Sequence, residues 1–189
     1  ADRKTITARH LVIPEDKVIT IEHHRAHAYY AYHASPFRGR KVLSLTIDAS
    51  GDGNNATIGV FDESGKYERL FSTNQCFIAR YYRYMTLLLA MKPNEHEFKV
   101  MGLAPYGEPK YAGLILDNII DLKDDGTFRL DQSYFDYCTG LRMTNDKFDA
   151  LFGGTRRRAD ELLTQRHMDL AASIQAVTEE AVLRLTRGL

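Results

Sequence analysis

The alternation of apolar and polar residues in Val42-Leu43-Ser44-Leu45-Thr46-Ile47, β-branched at its ends, predicts a strand. The glycine-bearing turn Gly51–Asn55 returns the chain into a second such run, Ala56-Thr57-Ile58-Gly59-Val60-Phe61. Asp62-Glu63-Ser64-Gly65 is a second hairpin turn, and Lys66 to Phe71 makes a third strand. The pattern is that of a three-stranded meander. Ahead of it, Lys17 to Ile21 reads as a short β-rich strand feeding a segment rich in Ala, His and Tyr. That segment, Glu22 to Ala34, is expected to be helical and to end at Ser35-Pro36.

After the meander the period lengthens. Ile78 to Met91 is expected to be a helix broken by Pro93 and Asn94, and Glu95 to Leu103 a shorter one closed by Ala104-Pro105-Tyr106-Gly107. Tyr111 to Leu122 has helical spacing, Asp124-Asp125-Gly126 turns, and Thr127 to Leu130 is a strand candidate. Arg156 to Asp160 reads as a basic, polar linker. From His167 to Leu185 the apolar positions Leu170, Ile174, Val177, Ala181 and Leu185 recur at helix spacing, giving a long amphipathic helix. The expected class is α/β (α+β), with helices flanking the meander.

Composition narrows the partners. The 189 residues carry 25 Lys+Arg against 25 Asp+Glu, so no overall field favours nucleic acid or an anionic membrane. A hydrophobic share of 44% is ordinary for a globular core. Two cysteines, Cys76 and Cys138, form no CxxC and fit a reduced, cytoplasmic protein. Apolar runs such as Leu87 to Met91 are far too short to cross a bilayer. The chain opens on Ala1-Asp2-Arg3-Lys4 and stops at Arg187-Gly188-Leu189 inside a helical pattern, so it is expected to be a piece of something larger, with self-association into a homodimer left open.

The candidate chemistry is concentrated in Glu22-His23-His24-Arg25-Ala26-His27-Ala28 and Ile47-Asp48-Ala49-Ser50-Gly51-Asp52-Gly53-Asn54-Asn55. Imidazoles at i and i+4 put His23 and His27 on one helix face, where they can chelate one divalent ion, and Asp48 offers a hard oxygen ligand beside them. A His-rich surface helix is the plainer alternative. His24, one residue round the helix, is expected to face substrate or to support the ligands. The turn is acidic and glycine-rich, as phosphate loops are, but Asp-Gly-Asn is also ordinary hairpin chemistry. In Glu95 to Gly107, Glu97 and Lys99 are the groups able to reach a ligand, against an exposed helix face as the alternative. Tyr81-Tyr82-Arg83-Tyr84 resembles a base-stacking element, but a helix covering a sheet looks the same. Arg156-Arg157-Arg158 is expected to be a solvated loop.

His23 to Ala28, Asp48 to Gly53 and above all Lys99-Val100-Met101-Gly102-Leu103-Ala104-Pro105-Tyr106-Gly107 resemble the O-carbamoyltransferases of the nodulation and antibiotic-tailoring type. The first two segments are shared with threonylcarbamoyl-adenosine and hydrogenase-maturation proteins. The resemblance is strongest over about residues 17–110 and weakens through the helical region beyond. It implies an actin-like ATPase (ASKHA) lobe on a ribonuclease-H-like core, incomplete in this chain. The implied reaction converts carbamoyl phosphate and ATP to a carbamoyl-adenylate, then passes the carbamoyl group to a hydroxyl of a sugar or natural product.

The same resemblance assigns roles. His23, His27 and Asp48 become ligands of a divalent metal, iron first, with zinc or manganese also suited. Ser50, Gly51, Asp52, Gly53 and Lys99 line the phosphates, and His24 accepts the acceptor hydroxyl's proton. Partners are small molecules, neither nucleic acid nor membrane, and this portion alone is expected to be inactive. An ASKHA-type kinase shares the Asp–Gly loop and is the competing enzyme class. A non-catalytic interaction module with incidental histidines is the third reading.

Overall fold

The computed structural model describes residues 2–137, 140, 143–154 and 156–188, and Cys138 lies outside them. The chain divides into two compact units, 1–75 and 76–189.

In the first unit α1 (Arg3–Leu11) is followed by a short 3-10 turn at Glu15–Lys17, then α2 (His23–Ala34) and the strands β1 (Val42–Gly51), β2 (Asn54–Phe61) and β3 (Tyr67–Thr73). The strands pair antiparallel in the order β1-β2-β3, as the alternating pattern predicted. Two expectations fail here. Lys17 to Ile21 is not a strand: Lys17 closes the 3-10 turn and the next residues pair with no neighbour, because a β-rich run becomes a strand only beside another. The helix α1 was not anticipated, since its buried side is limited to Ala8 and carries little apolar periodicity.

α2 crosses the sheet. The core beneath it is Ala28, Tyr32 and Phe61, with Tyr29, Val42 and Tyr67 packed against them. The Tyr32 and Phe61 rings stack at 4.2 Å between centroids and 3° between planes. Tyr32 also uses its polar end, accepting from Gly39 N–H (2.8 Å) and donating to the Asp62 carbonyl (3.3 Å), so a buried phenol is satisfied by the segment entering β1 and by the β2–β3 turn. Gly59 is required by this packing: a Cβ there would lie 2.4 Å from the Tyr67 ring.

The second unit is mainly helical: α3 (Ile78–Leu88), α4 (Glu97–Leu103), α5 (Ala112–Asn118), a hairpin of β4 (Ile120–Leu122) and β5 (Phe128–Leu130), α6 (Asp146–Leu151) and α7 (Gln165–Arg187). The expected helix at Tyr111 to Leu122 ends early, since Ile120–Leu122 pairs with Phe128–Leu130. In α7 the predicted stripe holds: Leu170, Ile174, Val177 and Ala181 are buried. The Tyr81–Tyr84 aromatics are core, not a stacking platform: Tyr81, Tyr82 and Tyr84 are all buried. Nor is the arginine run simply solvated. Arg156 donates to both Asp149 carboxylate oxygens (2.8 and 3.1 Å) and to the Thr144 carbonyl (3.1 Å), and Arg157 donates to the Leu89 carbonyl (3.1 Å). Among the described residues no helix is long and apolar enough to cross a membrane.

Candidate functional site

α2 begins where its sequence allows the first N–H groups to be satisfied by carboxylates. Glu22 is the N-cap, and its carboxylate accepts from His24 N–H (3.3 Å) and Arg25 N–H (2.7 Å). The Arg69 guanidinium on β3 in turn donates to Glu22. Burial by itself would raise the Glu22 carboxyl, but Arg69 and the two N–H groups hold it below its ordinary value. The remaining donor, His23 N–H, is taken by Asp52 Oδ2 at 2.8 Å. Neither Arg69 nor this role for Asp52 was anticipated, because both partners lie far along the chain.

Asp48 is aimed by an irregularity in the sheet. β1 and β2 pair in register up to Ile47↔Ala56 and resume at Gly51↔Asn54, so Asp48, Ala49 and Ser50 oppose Asn55 alone. Such a bulge breaks strict alternation and re-aims a side chain. Asp52 (φ 47°) and Gly53 (φ 83°) then close a two-residue hairpin with both central residues left-handed, the turn that Asp-Gly favours. Gly51 is required for another reason: a Cβ there would lie 2.0 Å from a His23 ring carbon. The ring rests on the glycine's bare face.

The result is a convergence of three donors. His23 Nε2 lies 2.5 Å from Asp48 Oδ2, His27 Nε2 lies 3.1 Å from His23 Nε2, and His27 Nε2 lies 3.6 Å from Asp48 Oδ2. Burial would raise the Asp48 carboxyl, but the His23 hydrogen bond, Ala49 N–H and the two imidazoles hold it below its ordinary value. One ring proton on His23 Nε2 cannot both serve Asp48 and leave a lone pair for His27. A cation satisfies all three at once. Ligand bonds of about 2.0–2.1 Å set donors about 3.0–3.4 Å apart, a spacing the two imidazoles already have. The His23–Asp48 contact would open and the His27–Asp48 separation close slightly. The donor set therefore fits a divalent metal. Its side chains remain about one-third to one-half exposed (His23 37%, Asp48 36%, His27 56%), so an ion and a further ligand have access.

The other expected site residues fall differently. Ser50 and Gly53 are exposed on the hairpin, Gly51 is buried beneath His23, and the Asp52 carboxylate is committed to α2. Lys99 belongs to the second unit, exposed on α4, with Nζ 2.9 Å from His96 Nε2. The string around it is anchored by buried Val100, Leu103 and Ala104, and by Gly107, whose missing Cβ would lie 2.1 Å from the Met168 carbonyl oxygen on α7. Asp169 holds the next turn, accepting from Glu108 N–H (3.0 Å), Lys110 Nζ (2.9 Å) and Gln165 Nε2 (2.9 Å), which brings its carboxyl down to about 2.

His24 does not fit the role of general base. It is fully buried, with Nε2 3.1 Å from the Asn54 carbonyl and Nδ1 2.9 Å from Thr46 Oγ1. A carbonyl only accepts, so Nε2 carries the proton and Nδ1 receives the Thr46 hydroxyl hydrogen. No lone pair is left for an incoming hydroxyl.

An uncharacterized protein of Synechocystis sp. is 49% identical over 169 residues, which are 87% of this chain and 26% of the relative. The nodulation protein NolNO of Sinorhizobium fredii is 27% identical over 186 residues (93% and 24%), and the nodulation protein NolO of Bradyrhizobium diazoefficiens is 26% identical over 167 residues (88% and 28%). The chain thus spans about a quarter of the length of the curated relatives it matches. The family model described as the carbamoyltransferase N-terminus matches residues 5–189, and the chain belongs to that carbamoyltransferase family.

Proposed function

We propose that this chain carries the metal-bearing part of an ATP-dependent O-carbamoyltransferase acting in the cytoplasm. Its first unit is read as part of a ribonuclease-H-like, actin-like ATPase (ASKHA) lobe. Carbamoyl phosphate, hydrolysed to carbamate and phosphate, would react with ATP to give carbamoyl-adenylate and pyrophosphate, and the carbamoyl group would then pass to a hydroxyl of a sugar or other natural product, releasing AMP. The observation that carries the reading is the convergence of His23 Nε2, His27 Nε2 and Asp48 Oδ2 from a helix and a strand bulge.

A divalent ion held there, iron first and zinc or manganese next, would polarise carbamoyl or phosphate oxygens and offset charge that develops on them. The chain's own residues supply the frame. His23 and His27 present ring nitrogens from one turn of α2, and Asp48 presents a carboxylate held below its ordinary value by its neighbours. Ser50 and Gly53, exposed on the same hairpin, are the groups open to phosphate oxygens, whereas a free Asp52 carboxylate would repel them and is instead bound to His23 N–H. Lys99, on the second unit, carries an exposed ammonium able to take an anion.

The test uses the full-length protein: carbamoyl-phosphate-dependent exchange of pyrophosphate into ATP, before and after His23→Ala/His27→Ala. Exchange that needs carbamoyl phosphate and disappears with metal content in the double variant is expected. A phosphorylated product formed without carbamoyl phosphate would sink the reading in favour of a kinase, and unchanged metal content would remove the ligand assignment.

A further inference from the structure

We propose that His24 is a positioning residue for the metal centre. Together with Thr46 and Thr57 it sets the rotation of α2 on the sheet, and so keeps His23 and His27 opposite Asp48. The inference rests on the metal-binding reading of those three side chains.

Three observations carry it. The first is the direction of the hydrogen bonds. In the neutral ring, with Nε2–H of His24 donating to the Asn54 carbonyl, Nδ1 accepts from Thr46 Oγ1. Thr46 Oγ1 has then spent its proton, so Thr57 Oγ1, 2.7 Å away and directly opposite in the β1–β2 register, must donate to it. One chain of protons runs Thr57 to Thr46 to His24 to Asn54, with no alternative arrangement of tautomers.

The second is burial. His24 and Thr57 have no exposed surface and Thr46 has 7%. A lost bond there leaves a buried polar group unsatisfied, which makes the geometry stiff.

The third is location. His24 is bonded to His23 in sequence and lies three residues before His27, while Thr46 lies two residues before Asp48 and Asn54 follows the hairpin turn. The network therefore joins the helix bearing two donors to the strands bearing and supporting the third. With side chains about 5–6 Å from a helix axis, a rotation of about 10° moves a donor by about 1 Å. That is comparable to the whole spread of the donor separations.

The test is zinc titration of the purified chain by calorimetry, with circular dichroism to check folding. Wild type, His23→Ala, Thr46→Val and Thr46→Ser are compared. Thr46→Val keeps the shape but strips Nδ1 of its donor, and zinc affinity is expected to fall about tenfold or more, the usual reach of groups that orient ligands. Thr46→Ser restores the hydroxyl and should bind within about twofold of wild type, which a purely packing role for Thr46 would not produce. Nitrogen chemical shifts of His24 should show an Nε2-protonated tautomer in both wild type and Thr46→Val, because the Asn54 carbonyl still takes that proton, with the Nδ1 resonance moved in Thr46→Val by loss of its donor. Unchanged zinc affinity in a folded Thr46→Val, with binding still lost in His23→Ala, overturns the positioning role and leaves the metal reading standing. Zinc binding indifferent to His23→Ala overturns the metal reading, and the inference with it.

Discussion

α2 and α7 are held in place by different physics. α7 buries an unbroken apolar face, Leu170, Ala171, Ile174, Val177 and Ala181, and its buried polar groups are confined to the N-terminal end at His167, Asp169 and Ser173. α2 buries only His24, Ala28 and Tyr32 over twelve residues; His24 makes directional bonds to β1 and β2, and Tyr32 to the β2–β3 turn and to Gly39 ahead of β1. Apolar contact is nearly indifferent to small rotations, whereas a hydrogen bond weakens steeply with misalignment. The helix that presents His23 and His27 is the one fixed by directional contacts. Area gives a helix its existence, and buried polar bonds give it a defined azimuth.

Five measurements sharpen or break this contrast, from the largest expected effect to the smallest. Ile174→Ala, at a fully buried position of α7, should cost about 2–5 kcal/mol in denaturant unfolding of the chain. A cost below 1 kcal/mol would mean that area is not what holds α7. Gly107→Ala drives a Cβ onto backbone that cannot swing away, and about 1–3 kcal/mol should be lost. Gly51→Ala makes as close a contact, but with the His23 ring. Because a side chain can turn, the stability cost is only about 0.5–1.5 kcal/mol, while zinc affinity should fall by at least about tenfold. Equal stability losses at the two glycines would erase the distinction between a site contact and a fold contact.

The fourth concerns acid. Asp169 has a folded value of about 2 against 3.8 unperturbed, so it stabilises the fold above the unfolded value and loses that contribution as pH falls from about 4 towards 2. Asp169→Asn should lower Tm at pH 7 and flatten its decline across that window; an acid limb parallel to wild type would contradict the assignment. The smallest effect is expected from nucleotide. A chain spanning about a quarter of its relatives should gain little Tm from micromolar ATP, and a clear shift would show that the phosphate groups present already suffice.

Much of the frame was legible because its signals are local. The alternating runs of β1 to β3, the Asp-Gly turn and the stripe of α7 each follow from side-chain period or turn chemistry within a few residues. So does the pairing of His23 with His27, which needs only the helix repeat. What was misread depended on distant partners. Lys17 to Ile21 has strand composition but no strand beside it, and Ile120–Leu122 continued a helical pattern but pairs with Phe128–Leu130. His24 shows the same limit: its neighbours in sequence suggested chemistry, and its neighbours in space use up both ring nitrogens.

The sequence by itself determined which residue types are available and which share a face: two imidazoles one turn apart, a carboxylate before a glycine-rich turn, and a string from Lys99 to Gly107 that ends in a Pro-Tyr-Gly turn. Only the tertiary structure decided that Asp48 leaves the strand alternation to meet the imidazoles, that Asp52 caps a helix, and that His24 is a pin. The reason is physical. Helix and turn patterns are set by short-range sterics, but a bulge, a capping bond across 29 residues and a buried tautomer exist only once the sheet and α2 have closed on each other.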